Sequence, residues 1–150
     1  MRRSMTLAAI AVLMTFAAAA SAAEVEIKML NKGAEGVMVF EPAMVNIQPG
    51  DTVKFVTVDK GHNAESIKGM LPAGAIPFVG KLSQDTEVVF DKPGVYGIKC
   101  MPHYGMGMVA MVVVGAAANI DEAKAVTHPG KAKQVFSAMF DKLPVKAAAK

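Results

Sequence analysis

Residues 100–108 carry the side chains of this sequence that are best suited to bind a metal ion. They read CMPHYGMGM and combine one thiol, one imidazole and three thioethers. Thiolate and thioether are soft ligands that favour copper, and imidazole also suits copper. Two histidines and one cysteine with a weak axial methionine form an electron-transfer site. The segment supplies the cysteine and one histidine, so a second histidine must come from elsewhere. Its proline and glycines predict that the segment is not helical.

The second imidazole has two candidate sources, because the remaining histidines are His62 and His128. His62 follows a predicted strand that ends at Val58, where the edge of a β-sandwich would bring it beside the cysteine segment. His128 lies between two predicted helices. We therefore predict that His62 is the second ligand. Without the cysteine segment, an ordinary turn histidine would be the better interpretation of His62.

Three methionines compete for the axial position. Met101 is adjacent to Cys100, so its side chain should leave the opposite face of a strand. Met106 and Met108 are two residues apart, and only one of them can face inward. The spacing alone does not choose between these two.

From Glu24 onward the chain has the pattern of short β-strands. Apolar and polar residues alternate at 24–29 and 51–58, as in strands with one buried face. Further strands are predicted at 37–40, 44–47, 86–90, 95–100 and 108–114. Seven short strands separated by turns predict an antiparallel β-sandwich. Residues 69–80 hold three glycines and two prolines, which predicts a long loop crossing between the sheets.

The pattern becomes helical after Gly115. Asn119 and Glu122 predict a capping box that opens a short helix ending before His128. A second helix is predicted over 131–143, because apolar residues recur there at the spacing of one helical face. These helices should pack on the sandwich, since about 28 residues cannot enclose a core of their own.

The first 22 residues have the features of a secretory signal peptide. Arg2 and Arg3 are basic, residues 7–19 are nearly all apolar, and residues 20–22 are small. The apolar run is shorter than the roughly 20 residues that a membrane-spanning helix needs. We predict cleavage after Ala22, which leaves residues 23–150 as a single domain.

The predicted mature chain is nearly neutral. It holds 14 lysines, no arginine and 13 acidic residues, for a net charge of +1. This charge argues against nucleic-acid binding, which uses arginine contacts and strongly positive surfaces. The single cysteine excludes an internal disulfide.

Five segments carry a resemblance to a known family. They are 29–33 (MLNKG), 38–42 (MVFEP), 59–63 (DKGHN), 94–97 (GVYG) and 102–108 (PHYGMGM). Together they resemble the type 1 blue copper proteins, or cupredoxins, and within them the pseudoazurin family. The Cys-x2-His-x4-Met spacing is also similar to plastocyanin, which lacks the C-terminal helices. The resemblance covers essentially the whole mature chain. It implies an all-β, cupredoxin-like Greek-key β-sandwich with two short C-terminal α-helices.

The same resemblance implies one type 1 copper per chain. Its ligands would be His62, Cys100, His103 and, more weakly, Met108. Asn63 would link the two ligand loops and donate a backbone N–H to the sulfur, which tunes the reduction potential. Pro102 would lie beside the ligands without binding the metal.

The resemblance also implies a docking face around His103, where electrons would enter and leave. Its apolar part would be Met38, Pro102 and Met106. Its charged part would be a ring of lysines that attracts acidic partners. These are Lys32, Lys60, Lys81 and Lys99, with Lys68 as a further candidate. Relatives often carry another lysine where this chain has Val79 and Gly80, so a weaker ring is expected here.

The function implied is a periplasmic, non-enzymatic and monomeric electron carrier. Its transient partners would be a copper nitrite reductase and c-type cytochromes, with no binding to nucleic acid or, in the mature form, to membranes.

Two other classes of function remain. A copper chaperone or storage protein would use the same side-chain types in an open, exchangeable Cu(I) site. A thiol enzyme would use Cys100 as a nucleophile with His103 or His62 as its base, but it would leave Met108 without a role. Zinc is disfavoured because its ligands in proteins do not include thioethers.

Overall fold

A computed structural model describes residues 21–144. Apart from Ser21 and Ala22, the predicted signal peptide lies outside the described residues. The described part contains eight strands: β1 (Glu24–Gly33), β2 (Gly36–Glu41), β3 (Met44–Ile47), β4 (Asp51–Thr57), β5 (Glu65–Ser66), β6 (Thr86–Phe90), β7 (Gly94–Lys99) and β8 (Val109–Val114). No helix in residues 21–144 is long and apolar enough to cross a membrane.

The strands form two four-stranded sheets, in the orders β2-β1-β4-β6 and β3-β8-β7-β5. The inner faces of the sheets share one core. Ile27 and Met29 of β1 and Phe55 of β4 are fully buried in it, as the predicted alternation requires. The β-sandwich expected from the sequence is thus confirmed, but it is not purely antiparallel, because β1 pairs with β4 and β3 with β8 in parallel.

The two central strands of the second sheet are buried on both faces. Every residue of β8 is buried, and so is every residue of β7 except Lys99. One face contacts the core and the other contacts two helices, α1 (Ile120–Lys124) and α2 (Ala132–Asp141). This explains why β8 reads as an unbroken apolar run, VAMVVV, rather than an alternating one.

The predicted capping box at the start of α1 is wrong. Asn119 precedes the helix, but its side chain makes no capping hydrogen bond. It instead accepts the N–H of Val95 at 2.7 Å and donates to the C=O of Val95 at 2.9 Å. The side chain of Asn119 thus binds the backbone of β7 and connects the start of α1 to the sheet.

Residues 69–80 form the predicted loop between the sheets. Two other local features differ from the sequence predictions. The short strand β5 was not predicted, because two residues are too few to show a period. The segment after Cys100 was predicted to be non-helical, but Met101–Met106 forms a short 3₁₀ helix kinked at His103. Proline is tolerated in the first turn of a helix, and short 3₁₀ segments are common connectors.

Candidate metal centre

Three side chains with metal-binding atoms meet at one end of the sandwich. His62 comes from the loop after β4, Cys100 follows directly after β7, and His103 lies in the 3₁₀ helix. Their candidate ligand atoms all lie within 4.8 Å of one another. The structure therefore brings together both predicted histidine ligands and the cysteine, whereas His128 lies among the helices.

The separations of these atoms are short enough for one metal ion to contact all three. With bonds of about 2.0 Å to nitrogen and about 2.3 Å to sulfur, as for Zn²⁺, two ligand atoms of one ion can be at most about 4 Å apart. The Sγ of Cys100 lies 3.5 Å from Nδ1 of His103 and 3.8 Å from Nδ1 of His62. The two Nδ1 atoms are 3.1 Å apart. Two imidazoles and a thiolate at these distances suit copper.

The ring of His62 is oriented by Asn31. The Oδ1 of Asn31 lies 2.8 Å from Nε2 of His62, so that nitrogen donates its hydrogen to the amide. The lone pair is then left on Nδ1, which faces Cys100. Asn31 is itself held at its backbone, where its N–H donates to Asp59 at 2.7 Å. A hydrogen bond to the distal nitrogen is the usual means by which proteins fix a metal-binding histidine.

The loop that carries His62 is fastened to the loop before β6. The N–H of Gly61 donates to Oγ of Ser83 at 2.9 Å, and the N–H of Ser83 donates to the C=O of His62 at 2.8 Å.

Burial lowers the pKa of His62, the nearby His103 lowers it further, and Asp59 opposes the shift. The ring is therefore held neutral, which is the form that binds metal.

Cys100 is fully buried. Burial raises the pKa of its thiol, and the charge of Glu65 raises it further. The backbone N–H groups of Asn63 and His103 oppose that rise by donating to the sulfur. A role of Asn63 in tuning the reduction potential stays a prediction.

Asn63 also joins the two ligand loops through its side chain. Its Oδ1 accepts the N–H of Met101 at 2.8 Å. Its Nδ2 donates to the C=O of Gly80 and to Oε2 of Glu65, both at 3.1 Å. Glu65 in turn forms an ion pair with Lys99 at 3.2 Å. The predicted site did not include Glu65 or Asn31, because a partner of a ligand shows no spacing signal in the sequence.

Comparisons with known proteins agree with this geometry. Residues 27–115 match the family described as copper binding proteins, plastocyanin/azurin family. The chain is 55% identical to the pseudoazurin of Methylorubrum extorquens over 121 residues, which cover 80% of each protein. It is 48% identical to the pseudoazurin of Paracoccus pantotrophus, covering 87% of this chain and 91% of that relative. The chain belongs to the pseudoazurin family.

A solved pseudoazurin structure agrees with the assignment. The pseudoazurin of Methylobacterium extorquens AM1 superposes with a TM-score of 0.78 at 49% identity, covering 81% of this chain and 99% of that one. The chain is thus a copper electron carrier of the cupredoxin type, with copper as its cofactor, as the sequence predicted.

The three methionines of the segment occupy different surroundings. Met108 is fully buried in the same cluster as Cys100, whereas Met106 is 48% exposed and Met101 is 61% exposed. The backbone of Met108 is tied to two candidate ligands, because Cys100 donates its N–H to the C=O of Met108 and Met108 donates to the C=O of His103. Of Met106 and Met108, the inward-facing residue is Met108, as the pseudoazurin pattern implied.

The predicted docking residues differ in exposure. Pro102 and Met106 are exposed beside the half-buried His103, and Met38 is half-buried with a left-handed backbone (φ 52°). Of the predicted docking lysines, four are exposed, namely Lys32, Lys60, Lys68 and Lys81. Lys99 differs from them, because it is half-buried, pairs with Glu65 and lies 5.1 Å from the centre of the Tyr104 ring. Its charge is partly neutralised.

Proposed function

We propose that this chain carries single electrons on one type 1 copper, which cycles between Cu(II) and Cu(I). The ligands in this proposal are His62, Cys100, His103 and, more weakly, Met108. The observation that carries it is the meeting of two Nδ1 atoms and one Sγ within 4.8 Å, next to a buried thioether.

The surroundings of the site favour rapid electron transfer over bond-making chemistry. When bound, copper would accept the electron from one partner and release it to the next. The chain's contribution is a rigid cage, because Asn31 fixes His62 and Asn63 fastens one ligand loop to the other. A cage that is already built changes little when one electron arrives, so little reorganisation is needed.

His62, Cys100 and Met108 are shielded from water, with no measurable exposure. Four protein ligands around one ion leave no open position for a substrate, in contrast to catalytic metal sites. The carrier is therefore proposed to have no enzymatic activity of its own.

The proposed entry and exit for electrons is His103. It is the ligand nearest to the surface, and the exposed side chains of Pro102 and Met106 flank it. An apolar patch of this kind favours brief docking, and the surrounding lysines would attract acidic partners. We propose a copper nitrite reductase and c-type cytochromes as those partners. The chain would meet them as a monomer.

The proposed location is the periplasm. This proposal is based on the signal-peptide pattern of residues 1–22, with cleavage after Ala22. The mature carrier would then work beside exported redox enzymes.

Adding Cu(II) to the purified, metal-free mature protein tests the site. We expect an intense visible absorption band from thiolate-to-copper charge transfer, together with a type 1 electron paramagnetic resonance spectrum. Cys100→Ser should abolish the band while circular dichroism shows that the sandwich remains folded. Zn²⁺ added in the same way provides a colourless control. A parent protein that stays colourless with Cu(II), or a Cys100→Ser variant that turns blue, would contradict the proposal.

A further inference from the structure

The 3₁₀ helix that carries His103 contacts the helical part of the molecule through Tyr104. The hydroxyl of Tyr104 lies 2.6 Å from Nδ1 of His128, which is a strong hydrogen bond. On its other side, the ring of His128 packs against Phe136 of α2, with the ring centres 4.4 Å apart. A continuous chain of contacts therefore runs from α2 through His128 to the residue beside His103.

The backbones of the two segments also meet. Lys131 donates its N–H to the C=O of Gly105 at 3.0 Å. Gly130 has a left-handed backbone (φ 51°), and a Cβ at this position would collide with the C=O of Gly105. The close approach thus requires glycine at position 130. The segment between α1 and α2 is therefore joined to the 3₁₀ helix by a side-chain and a backbone hydrogen bond.

His128 has no other polar role within residues 21–144. It is 9% exposed, and its Nε2 is buried without a hydrogen-bond partner in this part of the chain. A buried imidazole that makes one hydrogen bond leaves a polar atom unsatisfied, which is unfavourable. The bond to Tyr104 is the one polar contact that this buried ring makes there.

We propose that His128 is a positioning residue of the copper site. Through its hydrogen bond to Tyr104, His128 holds the segment that carries His103 and Met108 against the C-terminal helices. This inference rests on the ligand set proposed above. The link from Tyr104 to the ligands is short, because Gly107 donates its N–H to the C=O of Tyr104 at 3.0 Å and Met108 donates to that of His103 at 3.2 Å.

The first test uses the metal-free protein and measures amide hydrogen exchange at Gly107 and Met108. His128→Phe keeps a ring against Phe136 but loses the hydrogen bond, and Tyr104→Phe removes the other partner of the same bond. Each variant should exchange about fivefold faster at these amides, the factor expected for one hydrogen bond of ordinary net strength. The double variant should exchange no faster than either single variant.

A matched control distinguishes positioning from general loss of stability. Ile120→Val shortens a buried side chain in the same helical cluster and leaves both partners of the Tyr104–His128 hydrogen bond in place. In this variant, the ratio of the exchange rate at Gly107 and Met108 to the rate of global unfolding should equal that of the parent. Equal exchange in the parent, His128→Phe and Tyr104→Phe would overturn the proposal.

The second test uses the copper-loaded protein. His128→Phe and Tyr104→Phe should change the relative intensities of the thiolate-to-copper bands and shift the reduction potential in the same direction, whereas Ile120→Val should do neither. His128→Asn should restore the parent spectrum, because its side-chain oxygen can take the place of Nδ1. A spectrum and potential that are identical in all variants would contradict a positioning role. A colourless parent would instead contradict the ligand set, and the exchange comparison would still decide the role of His128.

Discussion

At the scale of single residues, Cys100 lies in surroundings that favour metal binding over reaction as a free thiol. Its full burial raises the pKa of the thiol, so little thiolate forms at neutral pH without a metal. A nucleophilic cysteine would instead be partly exposed with a lowered pKa. The surroundings of Cys100 thus disfavour a thiol enzyme. A bound metal ion would displace the thiol proton, so copper uptake should release a proton.

Met108 and Met106 form a matched pair for testing the axial ligand. We expect Met108→Gln to keep the visible colour and lower the reduction potential, because a harder oxygen ligand favours Cu(II). A tenfold change in the Cu(II)/Cu(I) equilibrium corresponds to about 60 mV for one electron, and we expect a shift of at least this size. Met106→Gln, at an exposed position, should leave the potential nearly unchanged. Cyclic voltammetry of the two variants measures their reduction potentials. Equal shifts in Met108→Gln and Met106→Gln would contradict the assignment of Met108.

At the scale of elements, the strands were predictable and several contacts between elements were not. β1 and β4 show their period of two because each has one buried face, and α2 shows its helical face for the same reason. The sequence did not reveal that Asn119 bonds to β7 instead of capping α1. A polar side chain near a helix start fits both roles, and the choice depends on what the fold brings within reach. The parallel pairing of β1 with β4 is likewise a property of topology that no local pattern encodes.

Asp51 connects the start of β1 to the turn before β4. Its Oδ1 accepts the N–H of Ala23 and its Oδ2 accepts that of Gln48, each at 2.8 Å. These N–H groups lower the pKa of Asp51 below its usual 3.8. The stability that they provide is therefore present above pH 3.8 and lost as the pH falls through the lower folded-state pKa. If cleavage occurs after Ala22, the nitrogen of Ala23 becomes an ammonium group facing this carboxylate.

Asp51→Asn should consequently lower the melting temperature at pH 7, and its effect should shrink as the pH falls below 3.8 and through the lowered pKa of Asp51. A mature chain that begins at Ala23 should also melt at a higher temperature than one that retains Ser21 and Ala22, since it gains an ion pair. In the Asp51→Asn background that difference should disappear. Thermal unfolding followed by circular dichroism measures both effects. An equal difference in the two backgrounds would show that Asp51 does not pair with the new terminus.

At the scale of the whole molecule, the positions of the lysines describe the surface charge better than the net charge does. The ligand end was predictable because residues 100–108 concentrate the soft ligands, and His62 followed from its place after β4. That Lys99 is paired with Glu65 could not be predicted, since the two residues are 34 positions apart and meet only through the pairing of β5 with β7. The exposed lysines at this end that remain unpaired in the described structure include Lys60 and Lys81.

These two lysines should govern association with an acidic redox partner. Lys60 and Lys81 lie on the two segments that Gly61 and Ser83 join beside His62, so both are close to the proposed docking face. Lys92 is a matched control, because it is exposed and precedes β7 at the opposite end, roughly 25 Å along the strand from Cys100. At low ionic strength, Lys60→Glu and Lys81→Glu should each slow bimolecular electron transfer to an acidic nitrite reductase about tenfold, whereas Lys92→Glu should change it little.

The difference among these variants should vanish near 1 M salt, where the Debye length is about 3 Å, because the attraction acts between exposed charges. Stopped-flow rates measured across a salt series, at unchanged reduction potential, separate attraction from changes at the copper site. If Lys92→Glu slows transfer as much as Lys60→Glu does, the attraction depends on the total charge of the molecule and the lysines near His62 form no docking face.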